Sequence, residues 1–264
     1  MFGVDDLAVL AVLAEADAAA SLPRLGGMAR PDGVAIVSER FWAFSRVGEP
    51  AASVRSMPSP RSPLARLPFV RGLVKLAMAI VPLLGRNAAA RPRERLLLLV
   101  GMLAPVPLLA VPAAYRTPVL AAVTVALIGW LFRGRTLRLH GAEHRAIAAA
   151  EERTLVSTWH EASRPSRFSP RCGTNFAALM VGISMLLERV WIVPSAALTP
   201  VLLPLVSLMI SMEIWLVAQR SASRLGRIVL LPGLLLQRLT TREPTLEDTR
   251  VALRAVAAVL AADR

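Results

Sequence analysis

A chain of 264 residues that is 55% hydrophobic, with a mean hydropathy of +0.54, is more apolar than soluble domains usually are. Several apolar runs approach the length that crosses a bilayer, so the composition favours an integral membrane protein. The formal net charge of +13 does not indicate nucleic-acid binding, because the arginines flank apolar runs and aromatic residues make up only 5% of the chain. A single cysteine, Cys172, excludes an intrachain disulfide and a disulfide-built secreted fold.

Residues 1–64 are predicted to form a cytoplasmic segment rather than to begin with a signal peptide. Residues 1–20 are apolar and helix-prone, but acidic residues interrupt them, so we expect an amphipathic helix. Residues 25–28 carry a turn signal, and the run 33–46, rich in Val, Ile, Phe and Trp, predicts a short hairpin. Residues 49–63 are proline-rich and are expected to be a linker.

Residues 65–264 predict a mainly α-helical, polytopic membrane bundle of about four spans. The predicted spans are residues 96–114, 118–132, 174–193 and 196–218. Residues 67–84 carry two basic residues on one face, which favours an interfacial amphipathic helix. The apolar run 228–236 is too short to span and contains a Pro-Gly pair, so it is expected to be interfacial or re-entrant. A final helix is expected over 245–262.

Basic residues set the expected orientation of this bundle. Arginines cluster in 86–95, 133–171 and 220–242, whereas the short loops around Arg116 and 188–194 are not strongly basic. Basic loops stay in the cytoplasm under the positive-inside rule. The sequence therefore predicts a protein of the inner (plasma) membrane with both termini cytoplasmic. The lipid bilayer is its expected partner, and either a second copy of the chain or another membrane protein would be a further one.

The stretch His140-Gly141-Ala142-Glu143-His144 carries the strongest indication of chemistry. It reads H-x-x-E-H, the pattern of inverzincin metallopeptidases. Residues four apart share one face of a helix, so the two imidazoles could bind one metal ion. Glu143 would then lie beside that ion, where the general base for an attacking water belongs. The alternative is that these residues are interfacial polar groups or helix caps without a metal.

A catalytic zinc site needs a third protein ligand and an open position. The candidates, in order of preference, are Glu213, Glu151 and Cys172. Glu213 lies on another predicted span, and Glu151 follows His144 by two helical turns on about the same face. Cys172 could bind as a thiolate or act as a catalytic thiol, because it follows Arg171 and starts a helix, and both features lower a thiol pKa. Each has a structural alternative: an ion pair for Glu213, a solvated face for Glu151, and a small buried residue for Cys172.

Five segments of the chain together resemble one family. They are LPFVRG (67–72), LHGAEHRAI (139–147), SPRCGTNF (169–176), LLPLVSLMISMEI (202–214) and LLPGLLLQRLTTREPTLED (230–248). In this order they resemble the motifs of the YqhQ-like bacterial membrane proteins, and the resemblance covers roughly residues 65–260. It implies a metal-dependent enzyme in which one site contains His140, Glu143, His144, Glu151, Cys172, Glu213 and the 240–243 turn. The chain departs from the family at Ser169, where members usually have a histidine, and at 26–30, where a glycine-rich motif is degraded.

The first functional hypothesis is a membrane metallohydrolase whose site faces the cytoplasm and uses zinc or another divalent metal. The first alternative is a non-catalytic membrane scaffold or assembly factor. A second is a small transporter whose pathway contains Glu188, Arg189 and Glu213. A third is a thiol enzyme that pairs Cys172 with one of the two histidines.

Overall fold

The computed structural model describes residues 4–57, 67–84, 134–193, 198–221 and 223–264, together with isolated positions between 92 and 129. The strands are β1 (Gly26–Arg30), β2 (Gly33–Val37), β3 (Phe41–Arg46) and β4 (Ala52–Ser56). The helices are α1 (Val4–Ala18), α2 (Val70–Leu84), α3 (Thr136–Glu152), α4 (Leu155–Trp159), α5 (Gly173–Val190), α6 (Thr199–Ala218), α7 (Arg224–Thr240) and α8 (Leu246–Asp263). The described chain is thus mainly helical, with one four-stranded antiparallel sheet of order β1-β2-β3-β4.

The predicted hairpin over 33–46 is confirmed as β2 and β3. The flanking strands correct two predictions, because β1 lies where a turn was expected and β4 lies inside the expected linker. Every residue of β1 pairs with β2, and this pairing overrides the low strand propensity of its two glycines. The prolines at 50 and 58 flank β4 without interrupting it, so its backbone N–H groups remain free to pair with β3.

One face of the sheet packs against α3 and α8, and α1 and α4 pack against α8 and against each other. We call this unit the sheet–helix core. Fully buried side chains come from each layer, among them Leu13, Ile36, Leu139 and Leu253. Alternate strand residues face opposite sides of a sheet, and Trp42 accordingly joins a smaller cluster on the other face. A domain boundary near residue 64 stays a prediction, but the strands before it share this core with α8 near the end of the chain.

The helices α5, α6 and α7 pack against one another as a second unit, the apolar layer. The prediction of a four-span polytopic bundle is wrong for this structure. In the part of the chain that the structure describes, only one helix is long and apolar enough to cross a membrane, over Val201–Ala218 in α6, and 28% of that segment is buried. Polar residues near both ends of α5, Asn175 and Glu188, shorten its apolar stretch. The predicted spans 96–114 and 118–132 lie largely outside the described residues.

The run 228–236, predicted to be a short interfacial or re-entrant segment, is the middle of the continuous helix α7. Gly233 does not interrupt the helix but allows it to pack closely against α5. A Cβ atom on Gly233 would lie 2.3 Å from both the Cα and the Oδ1 of Asn175, so only glycine lets α7 approach α5 this closely. This contact brings α7 next to the loop that precedes α5.

Candidate metal centre

The H-x-x-E-H motif lies on a helix, as the sequence predicted. His140, Glu143 and His144 project from α3, and the latter two are each only 4% exposed. They stay buried because β1 and the 240–245 turn cover this end of α3. A Cβ on Gly141 would lie 2.3 Å from the carbonyl oxygen of Arg242, whose N–H donates to Leu137 O at 2.9 Å. The glycine of the motif therefore makes room for the turn.

The two imidazoles are held by backbone carbonyl groups. His140 Nδ1 lies 2.8 Å from Thr240 O, and His144 Nδ1 lies 2.7 Å from Arg167 O. A carbonyl oxygen only accepts hydrogen bonds, so each Nδ1 carries the proton and donates it. The lone pair of each ring is then on Nε2. Metal-binding histidines in proteins are oriented by this same arrangement.

The third polar group beside these rings is Cys172. It caps the N-terminus of α5, and its Sγ lies 3.3 Å from His140 Nε2. The ligand atoms of His140, His144 and Cys172 all lie within 4.8 Å of one another, and no other such group occurs among the residues that the structure describes. Two ligands at about 2.0 and 2.3 Å from a tetrahedral zinc lie roughly 3.5 Å apart, close to the observed nitrogen–sulfur separation. These three residues could therefore hold a metal ion.

Two buried amides fix the loop that carries Cys172. The fully buried side chain of Gln237 accepts from Ser169 N at 2.9 Å and donates to Ser169 O at 2.8 Å. Asn175 Nδ2 also donates to Ser169 O at 2.8 Å, and its own Oδ1 accepts from Gln237 at 3.2 Å. The close contact of α7 with α5 at Gly233 lets these amides meet. Sequence reasoning missed Gln237, although a glutamine within an apolar helix was the signal that could have indicated it.

A cavity of about 710 Å³ opens beside the two histidines and the cysteine. Glu143 and Ser169 also line it, together with mostly apolar residues of β1, α3, α5 and α7. Gly27 of β1 crosses directly over the acid, because a Cβ there would lie 2.8 Å from Glu143 Oε1. The diverged glycine-containing segment 26–30 thus forms a wall of the site, a role that sequence reasoning did not assign to it.

The surroundings keep both imidazoles uncharged at neutral pH. Burial lowers the pKa of His140, although the hydrogen bond to Thr240 O acts in the opposite direction. Burial and the nearby His140 lower the pKa of His144 to about 4. Neutral imidazole is the form that binds metals, so the lowered pKa values keep both rings in the form that could bind a metal ion.

Burial has the opposite effect on the two acidic groups. It raises the pKa of Glu143 to about 8. It also raises the pKa of the Cys172 thiol to about 11, although hydrogen bonds from Thr174 lower it, and the charge of Glu143 adds to the rise. The prediction that Arg171 and the helix start would lower this pKa is wrong, because burial dominates and the Arg171 guanidinium pairs with Glu151. The sulfur therefore needs a bound cation to be a thiolate.

The other two predicted ligands lie elsewhere. Glu213, which the sequence favoured as third ligand, accepts hydrogen bonds from the Arg71 guanidinium and from Phe69 N, and it is not one of the three residues that could hold a metal ion. Glu151 pairs with Arg171 and is likewise outside the group. The structure brings Cys172, the last of the three candidates, to the histidines. The carboxylates are instead held by arginines that are remote in sequence or on another element.

Comparison with known proteins gives one family and one relative. Residues 119–262 match the family model described as "Protein of unknown function (DUF1385)". Over 128 residues, 45% of this chain, the sequence is 31% identical to "Uncharacterized protein YqhQ" of Bacillus subtilis (strain 168). The match covers 38% of that protein's length. No solved structure matches the chain. The resemblance to YqhQ-like proteins is thereby confirmed.

Proposed function

Since the chain belongs to the DUF1385 family of proteins of unknown function, we propose that it is a membrane-bound, metal-dependent enzyme of hydrolase type. One observation carries the proposal. The ligand atoms of His140, His144 and Cys172 lie within 4.8 Å of one another, with both Nδ1 atoms hydrogen-bonded to backbone carbonyls so that both Nε2 atoms can bind a cation. Two imidazoles and a thiolate suit zinc well.

Glu143 is the proposed catalytic acid and base. A bound zinc would act as a Lewis acid on the ester, amide or phosphate group of a substrate. Among the cavity-lining residues that the structure describes, Glu143 is the sole carboxylic acid. A bound cation beside it would favour its ionised form, in which Glu143 would accept the proton of the attacking water and then return that proton to the leaving group. Glu143 is itself only 4% exposed, and this burial strengthens the electrostatic interactions of the acid with a bound substrate.

The proposed location is the cytoplasmic face of the inner membrane, with both termini in the cytoplasm. The candidate membrane segment Val201–Ala218 supports the membrane assignment. Residues 191–218 contain no lysine or arginine, whereas Arg220, Arg224 and Arg227 follow them, so the positive-inside rule favours a cytoplasmic C-terminal end for α6. Since the N-terminal strands pack on α8, both ends of the described chain would lie on that same side.

Metal analysis of the full chain, purified in detergent, tests the proposal. We expect about one zinc per chain in the wild type, and at least a tenfold lower affinity in His144→Ala and Cys172→Ala, because each loses a direct ligand. His160→Ala is the matched control, since His160 is the third histidine and lies outside the group. A wild-type protein without stoichiometric metal, or an unchanged metal content in His144→Ala, would contradict the proposal.

A thiol enzyme is the second candidate, because Cys172 Sγ lies 3.3 Å from His140 Nε2. In that case His140 would remove the thiol proton and Cys172 would attack the substrate. The raised thiol pKa makes this the weaker candidate. Iodoacetamide labelling separates the two: a thiol enzyme would be alkylated at Cys172 without prior chelation, whereas a metal ligand should react only after the metal is removed.

A further inference from the structure

The main cavity beside the metal-binding group opens towards the exposed face of the apolar layer. Leu236 and Leu239 of α7 both line the cavity, yet they are 42% and 69% exposed. They end a stripe of exposed apolar side chains along α7 that includes Leu225 and Ile228, spaced so that they share one face. An apolar molecule that lies along this face could therefore enter the cavity without crossing a polar surface.

A second, basic pocket of about 370 Å³ adjoins the main cavity. Leu25, Ile147 and Arg171 line both, so they form the shared wall. Arg24 and Arg153 also line the second pocket, together with the acid Glu151, which leaves an excess of positive charge there. Arg171 pairs with Glu151, so the charges that remain among the lining residues, on Arg24 and Arg153, are both positive. An anion in this pocket would be attracted by them.

The two pockets differ in chemistry in the same way as the two ends of a lipid. We propose that the substrate of this site is a membrane lipid with an anionic phosphate headgroup, bound with its chain in the main cavity and its phosphate among Arg24, Arg153 and Arg171. Guanidinium groups match the geometry of phosphate oxygens, and the main cavity has the volume of a typical small-molecule site. The linkage between head and chain would then cross the shared wall at Leu25, Ile147 and Arg171, and the two histidines line the cavity on the chain side of that wall.

This inference rests on the proposed function for the reaction alone, because binding of the lipid does not require the metal. Binding is therefore the quantity to measure. The full chain in phosphatidylcholine nanodiscs is titrated calorimetrically with dodecyl phosphate, dodecanol and inorganic phosphate, and empty nanodiscs are subtracted. We expect dodecyl phosphate to bind at least about tenfold more tightly than either of the other two, because only it contacts both pockets. Equal affinity for dodecanol, or for inorganic phosphate, would overturn the proposal.

Two variants divide the contributions of head and chain. Arg24→Ala, at an exposed position, should weaken dodecyl phosphate binding about tenfold and leave dodecanol unchanged. Ala177→Trp should weaken both, since Ala177 lines the cavity and is exposed, so the indole fills space without displacing the core. The matched controls are Arg55→Ala, on the exposed edge of β4, and Leu186→Trp, farther along α5. Unchanged dodecyl phosphate affinity in either test variant would contradict the assignment.

A third variant keeps the two proposals apart. His144→Ala should lose the metal and retain dodecyl phosphate binding to within about threefold, a change of less than 1 kcal/mol. Metal loss with retained lipid binding supports both proposals. A wild type that binds no metal but discriminates dodecyl phosphate from dodecanol supports the lipid site and contradicts the metal-dependent function. A wild type that binds metal but does not discriminate dodecyl phosphate from dodecanol supports the metal-dependent function and contradicts the lipid site.

Discussion

The sheet–helix core and the apolar layer both contain helices with leucines but place these side chains differently. In the core, Leu139 and Leu253 are fully buried between the sheet and two alanine-rich helices. In the apolar layer, Leu186 is 66% exposed and Leu225 is 70% exposed. Apolar side chains that are buried stabilise a fold in water, whereas a large exposed apolar surface marks a binding face or a membrane contact. The exposure of the leucines, rather than their presence, therefore distinguishes the two units.

The candidate metal centre lies at the contact between these units. The histidines belong to α3 of the core, and Cys172 begins α5 of the apolar layer. The 240–245 turn and the buried amides Gln237 and Asn175 join the two sides. The core would hold the histidines in place, and the cavity would be reached from the apolar layer. Substitutions made in one unit at a time should show how much each unit contributes to the stability of the protein.

The largest expected effect is in the core, at the start of α8. Asp248 is fully buried, contacts Arg135 at 2.6 Å and Arg138 at 3.1 Å, and forms a capping box with Thr245. Asp248→Asn should lower the free energy of unfolding by roughly 3–4 kcal/mol, because the buried side chain loses its charge and with it the charge-assisted hydrogen bonds with Arg135, Arg138 and Thr245. Glu247→Gln is the matched control, since that exposed side chain also pairs with Arg135 but should cost less than about 1 kcal/mol.

The same variant has a defined pH dependence. Burial by itself raises the pKa of Asp248, but hydrogen bonds from Thr245 and Arg135 hold that pKa below its usual range. A carboxyl whose pKa is lower in the folded state stabilises the fold above its unfolded pKa of about 4, and this contribution disappears as the pH falls through the folded pKa. The stability difference between wild type and Asp248→Asn should therefore be full at neutral pH and shrink below about pH 4. A difference that grows on acidification would contradict the ion-pair assignment.

A leucine truncation in each unit tests the comparison directly. Leu253→Ala should lower the free energy of unfolding by about 3 kcal/mol, because it leaves a cavity in the closed core. Leu186→Ala removes the same atoms from an exposed position and should change stability by less than about 0.5 kcal/mol. Denaturant unfolding of both variants in one detergent, monitored by circular dichroism, gives the two values. Equal losses would mean that the apolar layer is packed more fully than its exposure indicates.

The parts of the fold that sequence could predict are those set by local pattern. The hairpin over 33–46 and the helix that carries His140 and His144 follow from residue types and spacing. The strand β1 and the continuity of α7 do not, because both depend on contacts with distant elements, namely β2 and Asn175. Of the two predicted spans that the described residues include, 174–193 and 196–218, only the second gives a helix long and apolar enough to cross a membrane, because Asn175 and Glu188 shorten the apolar stretch of the first.

The site was predictable to the same degree. Its two histidines share one face of a helix, so their spacing alone indicates that both could bind the same metal ion. For a third ligand the sequence favoured the carboxylates, whereas the structure places the Cys172 thiol beside the histidines, because Arg71 binds Glu213 across more than a hundred residues. Nor does it show that Gln237 holds the cysteine loop. Long-range hydrogen bonds decide which polar group reaches the histidines.

A smaller effect is expected where α7 crosses α5. Gly233→Ala should lower the free energy of unfolding by about 1–3 kcal/mol, since its Cβ would lie 2.3 Å from Asn175 and must push the helices apart. Metal affinity should fall with it, because Asn175 fixes the Cys172 loop. Gly182→Ala in α5 is the control of opposite sign: its Cβ meets nothing within 4 Å, so it should stabilise the helix by up to about 1 kcal/mol. If both substitutions changed the free energy of unfolding equally, the close contact at Gly233 would not explain the loss of stability.

The last prediction changes no stability and asks what covers the apolar layer. Leu186→Cys and Glu161→Cys, each in a Cys172→Ser background, are treated with a charged, membrane-impermeant maleimide in inside-out vesicles. Both side chains are exposed in the folded chain, at 66% and 45%. If lipid covers the layer, the cysteine at 161 should react and that at 186 should not, until detergent denaturation exposes both. Equal reactivity in intact vesicles would mean that water reaches α5, and the lipid route to the cavity would then be excluded.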